Sequence, residues 1–379
     1  MNRFSSFLPA TVLRATRLGF FIAGFALSVW APLVPYVRER IPMDDGVFGL
    51  LLLCIGIGSL TCMPLSAHLS SRWGVRRVIM ISTLMLILAL LGMAMANHLV
   101  VLAVALFMFG GSLGVLDIVL NIQGLRVEQR AGRTLMSNFH GMFSFGTICG
   151  SVLMAILLTL GVSAIISPLI MIALIAIALF VAYSGLLKIR PKHASGSFVR
   201  PTPFVLLVGL LCFVVYLAEG AVLDWSALFL IQNKDMPTAQ AGLGYACFAL
   251  MVTVGRFSGD WLRQLLGHKV LLMGGSLLAA GGIVLSIVAT HWLPALIGYA
   301  LCGLGGANVS PLLMSLLNRQ THMPPHLAVT AATTIGFAGV LAGPALMGGV
   351  AHISSLTYAF AALAVLLALI AFAAPRLRV

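Results

Sequence analysis

Nine acidic side chains occur in 379 residues, and four of them, Asp117, Glu219, Asp224 and Asp260, fall inside long apolar stretches. An ionised group at the centre of a bilayer costs about 2.5–3.5 kcal/mol on insertion scales, so a carboxylate kept there needs a partner, a wet cavity or a proton. Asp117 precedes Arg126 by nine residues, about 13 Å of helix rise, which sets it in the Arg126 half of a core about 30 Å thick. Asn121 follows at i+4 on the same face. His140 begins the next apolar stretch, and antiparallel packing would bring its imidazole to the depth of Asp117, where the two could share a proton. The plainer reading is a structural brace of Asp117 against Asn or Ser neighbours, with His140 marking a helix entrance.

Glu219 lies well inside its apolar stretch with Tyr216 three residues earlier on the same helical face. Coupling or solute binding is the expected role for such a carboxylate. Asp224 and Trp225 are expected near the mouth of that stretch, where water solvates the acid and the indole anchors at the interface. Arg256 and Asp260 are four apart, a spacing that permits an ion pair on one helix face.

The elements that must hold these groups follow from composition. Hydrophobic residues make up 61% of the chain and charged residues 8%, against about 25% charged in a soluble domain. Apolar stretches of helix-spanning length recur from end to end, separated by short polar clusters, and about twelve are counted. The expected fold is therefore an all-α polytopic membrane protein. A formal net charge of +13 would suggest nucleic acid in a soluble protein. Here the cations sort by side: Arg38, Arg40 and Lys234 stand at one face, Arg256 within a span, and the rest of the 22 at the other face. That bias makes basicity a matter of topology, orients both termini toward the cytoplasm and leaves no claim on nucleic acid.

Rival chemistry finds little support. Cys54, Cys62, Cys149, Cys212, Cys247 and Cys302 stand singly, without the spacing of metal or redox sites, so no cofactor or metal is expected. Gly110-Gly111-Ser112-Leu113-Gly114 matches the nucleophile-elbow pattern, but that elbow needs a strand-to-helix turn and this run sits inside a helix. An intramembrane enzyme is therefore the weaker reading. No phosphate-cradling loop of the Gly-Lys-Ser type occurs, and no repeated filter sequence suggests a pore.

The chain looks duplicated. Shifting it by 193 positions superimposes Gly74 on Gly267, Gly110 on Gly303, Gly146 on Gly339 and Gly150 on Gly343. A Pro-, Ser- and Lys-rich stretch divides residues 1–187, an N-terminal six-helix bundle, from residues 203–379, a C-terminal one, with 188–202 as a cytoplasmic linker. After the second stretch comes a turn with Arg72, Gly74, Arg76 and Arg77; its counterpart carries Arg256, Asp260, Gly267 and Lys269. These turns, with the twelve spans and the duplication, resemble the Major Facilitator Superfamily. The stretches around Asp117, Asn121 and His140, and around Glu219, Asp224 and Arg256, are similar to its YbjJ-type branch near the fucose-permease-like transporters.

The resemblance implies two pseudo-symmetric six-helix bundles working by alternating access, as a monomer in a bacterial inner membrane. It implies secondary transport of a small polar, sugar-like solute coupled to protons, with multidrug or metabolite efflux by antiport as the alternative. Spans one, four, seven and ten would line the cavity, bringing Trp30, Asp117, Asn121, Glu219 and Asn308 toward one space, with Tyr216 and Trp225 as further candidates. The signature turns would form an inner latch, Arg256 with Asp260 on one side and Arg72, Arg76 and Arg77 on the other. Two departures stand out. Ser71 replaces the acid usual before the signature arginine, and no acid occupies span one.

Overall fold

A stretch of about 20 apolar residues closes its own peptide hydrogen bonds only as a helix when lipid surrounds it. A computed structural model of the chain describes residues 9–132, 135–190, 201–317 and 325–377; a few side chains within these limits, that of Asp260 among them, lie outside the description. Among the described residues there are helices, turns and no strand. Twelve helices among the described residues are long and apolar enough to cross a membrane. In chain order spans 1 to 6 are Ala10–Arg40, Asp45–Cys62, Val75–Met95, Leu99–Ala131, Asn138–Thr159 and Ile166–Tyr183. Spans 7 to 12 are Pro203–Lys234, Thr238–Gly259, Trp261–Val288, Trp292–Leu316, Ala331–Ile353 and Leu356–Ala373. The protein is a polytopic helical membrane protein of the fold expected from its sequence.

The chain forms two compact units: Met1–Pro42 with Cys54–Ser195, and Gly196–Val379 with Met43–Leu53. The first turns of span 2 thus group with the second unit, where Phe48 meets Trp225 edge-on at 5.1 Å between ring centroids. The boundary expected from composition fell on the linker alone, and residues 191–200 of that linker lie outside the described part.

Within each unit the same contacts recur. The Cβ that Gly110 lacks would run into the Ile55 carbonyl, and the one Gly303 lacks into the Phe248 carbonyl. Both pairs are related by the 193-residue shift, so spans 2 and 4 touch as spans 8 and 10 do. Gly146 lies likewise on the Phe21 carbonyl and Gly339 on the Phe213 carbonyl. Small residues at these crossings let helices pack backbone to backbone where lipid offers no hydrophobic drive between them. The turn glycines match as well, with φ +85° at Gly74 and +77° at Gly267, a region that side chains with a Cβ rarely enter.

A second recurring device closes the opposite ends. Arg40 Nη1 donates to the Ala94 carbonyl at 2.5 Å. Lys234, 194 residues on, donates through Nζ to the carbonyls of Ile287 and Ala289 at 2.7 and 2.5 Å. Each cation at the end of one helix satisfies carbonyls that another helix end leaves open.

Gly110→Val and Gly303→Val are expected to lower the unfolding temperature in detergent by the equivalent of about 1–3 kcal/mol each through overpacking. Gly274, where an added Cβ meets nothing within 4 Å, provides the contrast: Gly274→Ala should be neutral or stabilising by about 0.5–1 kcal/mol. Equal effects at all three positions would refute the assigned helix crossings.

Candidate functional site

Span 7 runs without a break through Tyr216 and Glu219, and span 8 presents Arg256 to them. Arg256 Nη2 stands 3.8 Å from Glu219 Oε1, with the two side chains 46% and 36% exposed. That separation is longer than a direct charge-assisted hydrogen bond, so the pair attracts while leaving oxygen and N–H positions open to a third group. On the same face, Tyr216 accepts a hydrogen bond at its hydroxyl from Ser310 Oγ of span 10 at 3.0 Å, and its ring packs 5.4 Å from that of Phe337. Tyr216, Glu219, Arg256 and Ser310 line a cavity of about 30 Å³ inside the second unit, walled by Phe248, Val252 and Cys302. A space of that size admits about one or two waters, not a sugar. The arrangement is a carboxylate, a guanidinium and two hydroxyls from three helices, able to bind a proton or exchange hydrogen bonds with a polar solute group when the space opens.

The other residues expected in or near this site are distributed differently. Asn308 Nδ2 donates to the Gly255 carbonyl at 2.7 Å, and its Oδ1 fills the space above Gly259, so this amide ties span 10 to span 8. Asp224 is 4% exposed and Trp225 fully buried. Both were expected at a solvated helix mouth. The reason for the difference is length: the helix continues to Lys234, ten residues or about 15 Å beyond Asp224, so the acid lies well inside. The Trp225 indole N–H has no hydrogen-bond partner among the described residues.

In the first unit Asp117 Oδ1 accepts from Asn121 Nδ2 at 3.3 Å, and the same amide donates to the Asp117 carbonyl at 2.9 Å. The i+4 pairing read from sequence is thus made. His140 is exposed and meets the Phe20 ring edge-on at 5.2 Å. Trp30 is fully buried. A polar tie that sequence did not reveal runs through buried Gln123: its Nε2 donates to Thr16 Oγ1 at 3.1 Å, and its Oε1 accepts from Leu187 N at 3.2 Å. Nothing in its spacing marks Gln123, because both partners come from distant helices. The Arg40 and Lys234 ties stand 194 residues apart, one position off the glycine interval, so the 193-residue shift does not itself pair them.

The signature turns are built unequally. Arg76 donates to the carbonyls of Tyr183, at 2.8 Å from Nε, and Ser184, at 2.9 Å from Nη2, and lies 4.3 Å over the Tyr183 ring. Arg72 and Arg77 are exposed, as are Gly267 and Lys269. The expected partner of Arg256 within its own helix, Asp260, has a side chain outside the described part; across helices, Arg256 faces Glu219.

Comparison with known proteins agrees with the fold. The Major Facilitator Superfamily model matches residues 17–339. The chain is 45% identical to an uncharacterized MFS-type transporter of Yersinia pestis over 95% of its length and 94% of that protein. It is 27% identical to the membrane protein MosC of Rhizobium meliloti, covering 90% of this chain and 84% of that one. Among solved structures, a variant of the nucleoside transporter NupG superimposes with a TM-score of 0.79 at 13% identity, covering 97% of this chain and 100% of that one. The human organic anion transporter MFSD10 gives 0.65 at 16% identity, covering 96% and 99%.

Asn308→Asp keeps the shape of the side chain but turns an acceptor toward the Gly255 carbonyl, so it should destabilise by about 1–3 kcal/mol. Tyr216→Phe, which leaves Ser310 free to bond elsewhere, should cost less, about 0.5–1.5 kcal/mol. Thermal unfolding of the purified protein measures both, and the reverse order would contradict the brace.

Proposed function

The chain belongs to the Major Facilitator Superfamily, and from that premise we propose that it is a proton-coupled secondary transporter of a small, hydroxyl-rich solute, working by alternating access. The observation that carries this reading is the Glu219–Arg256 pair, 3.8 Å apart, beside the hydrogen-bonded hydroxyls of Tyr216 and Ser310. A carboxylate held loosely by one guanidinium inside a membrane span is poised between two states. Protonated, it releases Arg256 to other acceptors; ionised, it holds the arginine. Asp117, steadied by Asn121, is the second coupling candidate, with His140 and Asp224 as further proton-bearing groups. Hydroxyl and amide groups suit a polyhydroxylated solute, which needs donors and acceptors together.

The same reading sets the protein as a monomer in the bacterial inner membrane with both termini cytoplasmic, supported by the distribution of its cations. Residues 188–202 then join two bundles, 1–187 and 203–379, on the cytoplasmic side. Trp30 and Trp225 enter the solute path only in a state that uncovers them.

Two measurements test this. A thermal-shift screen with sugars, sugar acids, nucleosides and hydrophobic cations identifies a solute by the stability it confers. Proteoliposomes loaded with that solute then report flux under an imposed pH gradient. Glu219→Gln and Asp117→Asn should each cut gradient-driven flux by about tenfold or more. Undiminished gradient-driven flux in both variants would remove the coupling assignment, and stabilisation by hydrophobic cations alone would favour efflux by antiport.

A further inference from the structure

We infer that Arg126, Arg130 and Arg190 form a binding site for a phosphate group at the basic end of the first unit, separate from the transport site. These three arginines, with Gln129 and Ile189, line one cavity of about 310 Å³, and all three are exposed at its walls. No carboxylate lines it. The nearest acid in sequence, Glu128, is committed elsewhere: its Oε2 accepts from the backbone N–H groups of Leu135 and Met136 at 2.5 and 2.9 Å. Three guanidinium groups around one space repel each other unless an anion sits between them, and among the described residues none lines the cavity.

The walls are held in place. Arg126, Gln129 and Arg130 occupy one face of span 4 at i, i+3 and i+4, and Arg126 Nη1 donates to Gln129 Oε1 at 3.2 Å, which leaves the Gln129 NH₂ to donate into the cavity. Arg190 comes from the segment after span 6, which is tied down at two points just before it. Leu187 N donates to the buried Gln123 Oε1 at 3.2 Å, and the Ile189 carbonyl accepts from Val75 N at 2.9 Å. A Cβ on Gly74 would stand 3.2 Å from the Ile189 carbonyl oxygen and 3.6 Å from Arg190 Cγ, so this segment packs directly on the Gly74 turn. Planar guanidinium forks converging from two elements match the several acceptor oxygens of a phosphate better than the two of a carboxylate.

The phosphate could belong to a phospholipid headgroup or to a soluble phosphate ester, and two arms distinguish them. In the first, the full-length protein in detergent is titrated calorimetrically with inorganic phosphate, glycerol 3-phosphate and acetate. In the second, native mass spectrometry counts retained phosphatidylglycerol against phosphatidylcholine. The comparison protein is Arg130→Gln/Arg190→Gln, whose exposed positions should leave the unfolding temperature unchanged; Arg130→Lys tests the fork against the charge. Saturable binding of phosphate or glycerol 3-phosphate that weakens about tenfold or more in the double variant supports a soluble ligand. Retention of phosphatidylglycerol over phosphatidylcholine, lost in the double variant and reduced by Arg130→Lys, supports a headgroup. Equal binding of acetate, equal retention of both lipids, or no difference between wild type and the double variant overturns the site.

Discussion

Inside a bilayer no water takes up an unpaired polar group, and the structure of this protein follows from that one constraint. Peptide groups are closed within helices. Buried hydroxyls turn back on their own helix: Ser82 and Thr83 donate to the carbonyls of Val78 and Ile79, and Ser276 to that of Leu272. Helix ends are closed by cations from neighbouring helices, Arg40 on Ala94 and Lys234 on Ile287 and Ala289. Beside these closed groups, the loosely paired carboxylate of Glu219 stands out. A site for a transported solute must keep some hydrogen-bonding capacity in reserve, and the open geometry of the Glu219–Arg256 pair keeps it.

Glycine does the complementary work. Close crossings at Gly110 and Gly146 in the first unit and at Gly303 and Gly339 in the second bring helix backbones together, and the crossing at Gly303 brings the spans that carry Arg256 and Ser310 near each other. A methyl group at Gly303 would push span 10 off span 8, and with it Ser310 away from Tyr216. Packing and site geometry are therefore the same property, set by residue size at a few crossings.

The spans, their number and the repeat were legible in the sequence because each rests on a local property: run length, hydropathy and the spacing of glycines. The Asp117–Asn121 contact was legible for the same reason, since i+4 neighbours on a helix meet whatever surrounds them. Contacts between helices were not. The spacing of Arg256 and Asp260 speaks only of their own helix, and it is packing of span 8 against span 7 that brings Arg256 to Glu219. Asp224 was expected at a mouth by counting residues along a span of ordinary length, and it is buried. Helices in this chain overrun the minimal crossing length, span 7 reaching 32 residues, so a mouth estimated from a 20-residue span falls about three turns short of the helix end.

The two signature turns show which part of a motif is structural and which is adjustable. Both place glycine at positive φ, +85° at Gly74 and +77° at Gly267, so the reversal between helices depends on backbone freedom alone. The charges around it are free to vary. In the first unit, where Ser71 stands in place of an acid, Arg76 bonds instead to the carbonyls of Tyr183 and Ser184 and lies over the Tyr183 ring. Those carbonyls close span 6, where the helix dipole is negative and the last acceptors lack intrahelical donors, so a helix end substitutes for a carboxylate. The loss of the acid thus leaves the fold of the turn intact. It changes what the arginine is tied to: a fixed helix end within its own unit, in place of a side chain whose charge a proton could remove.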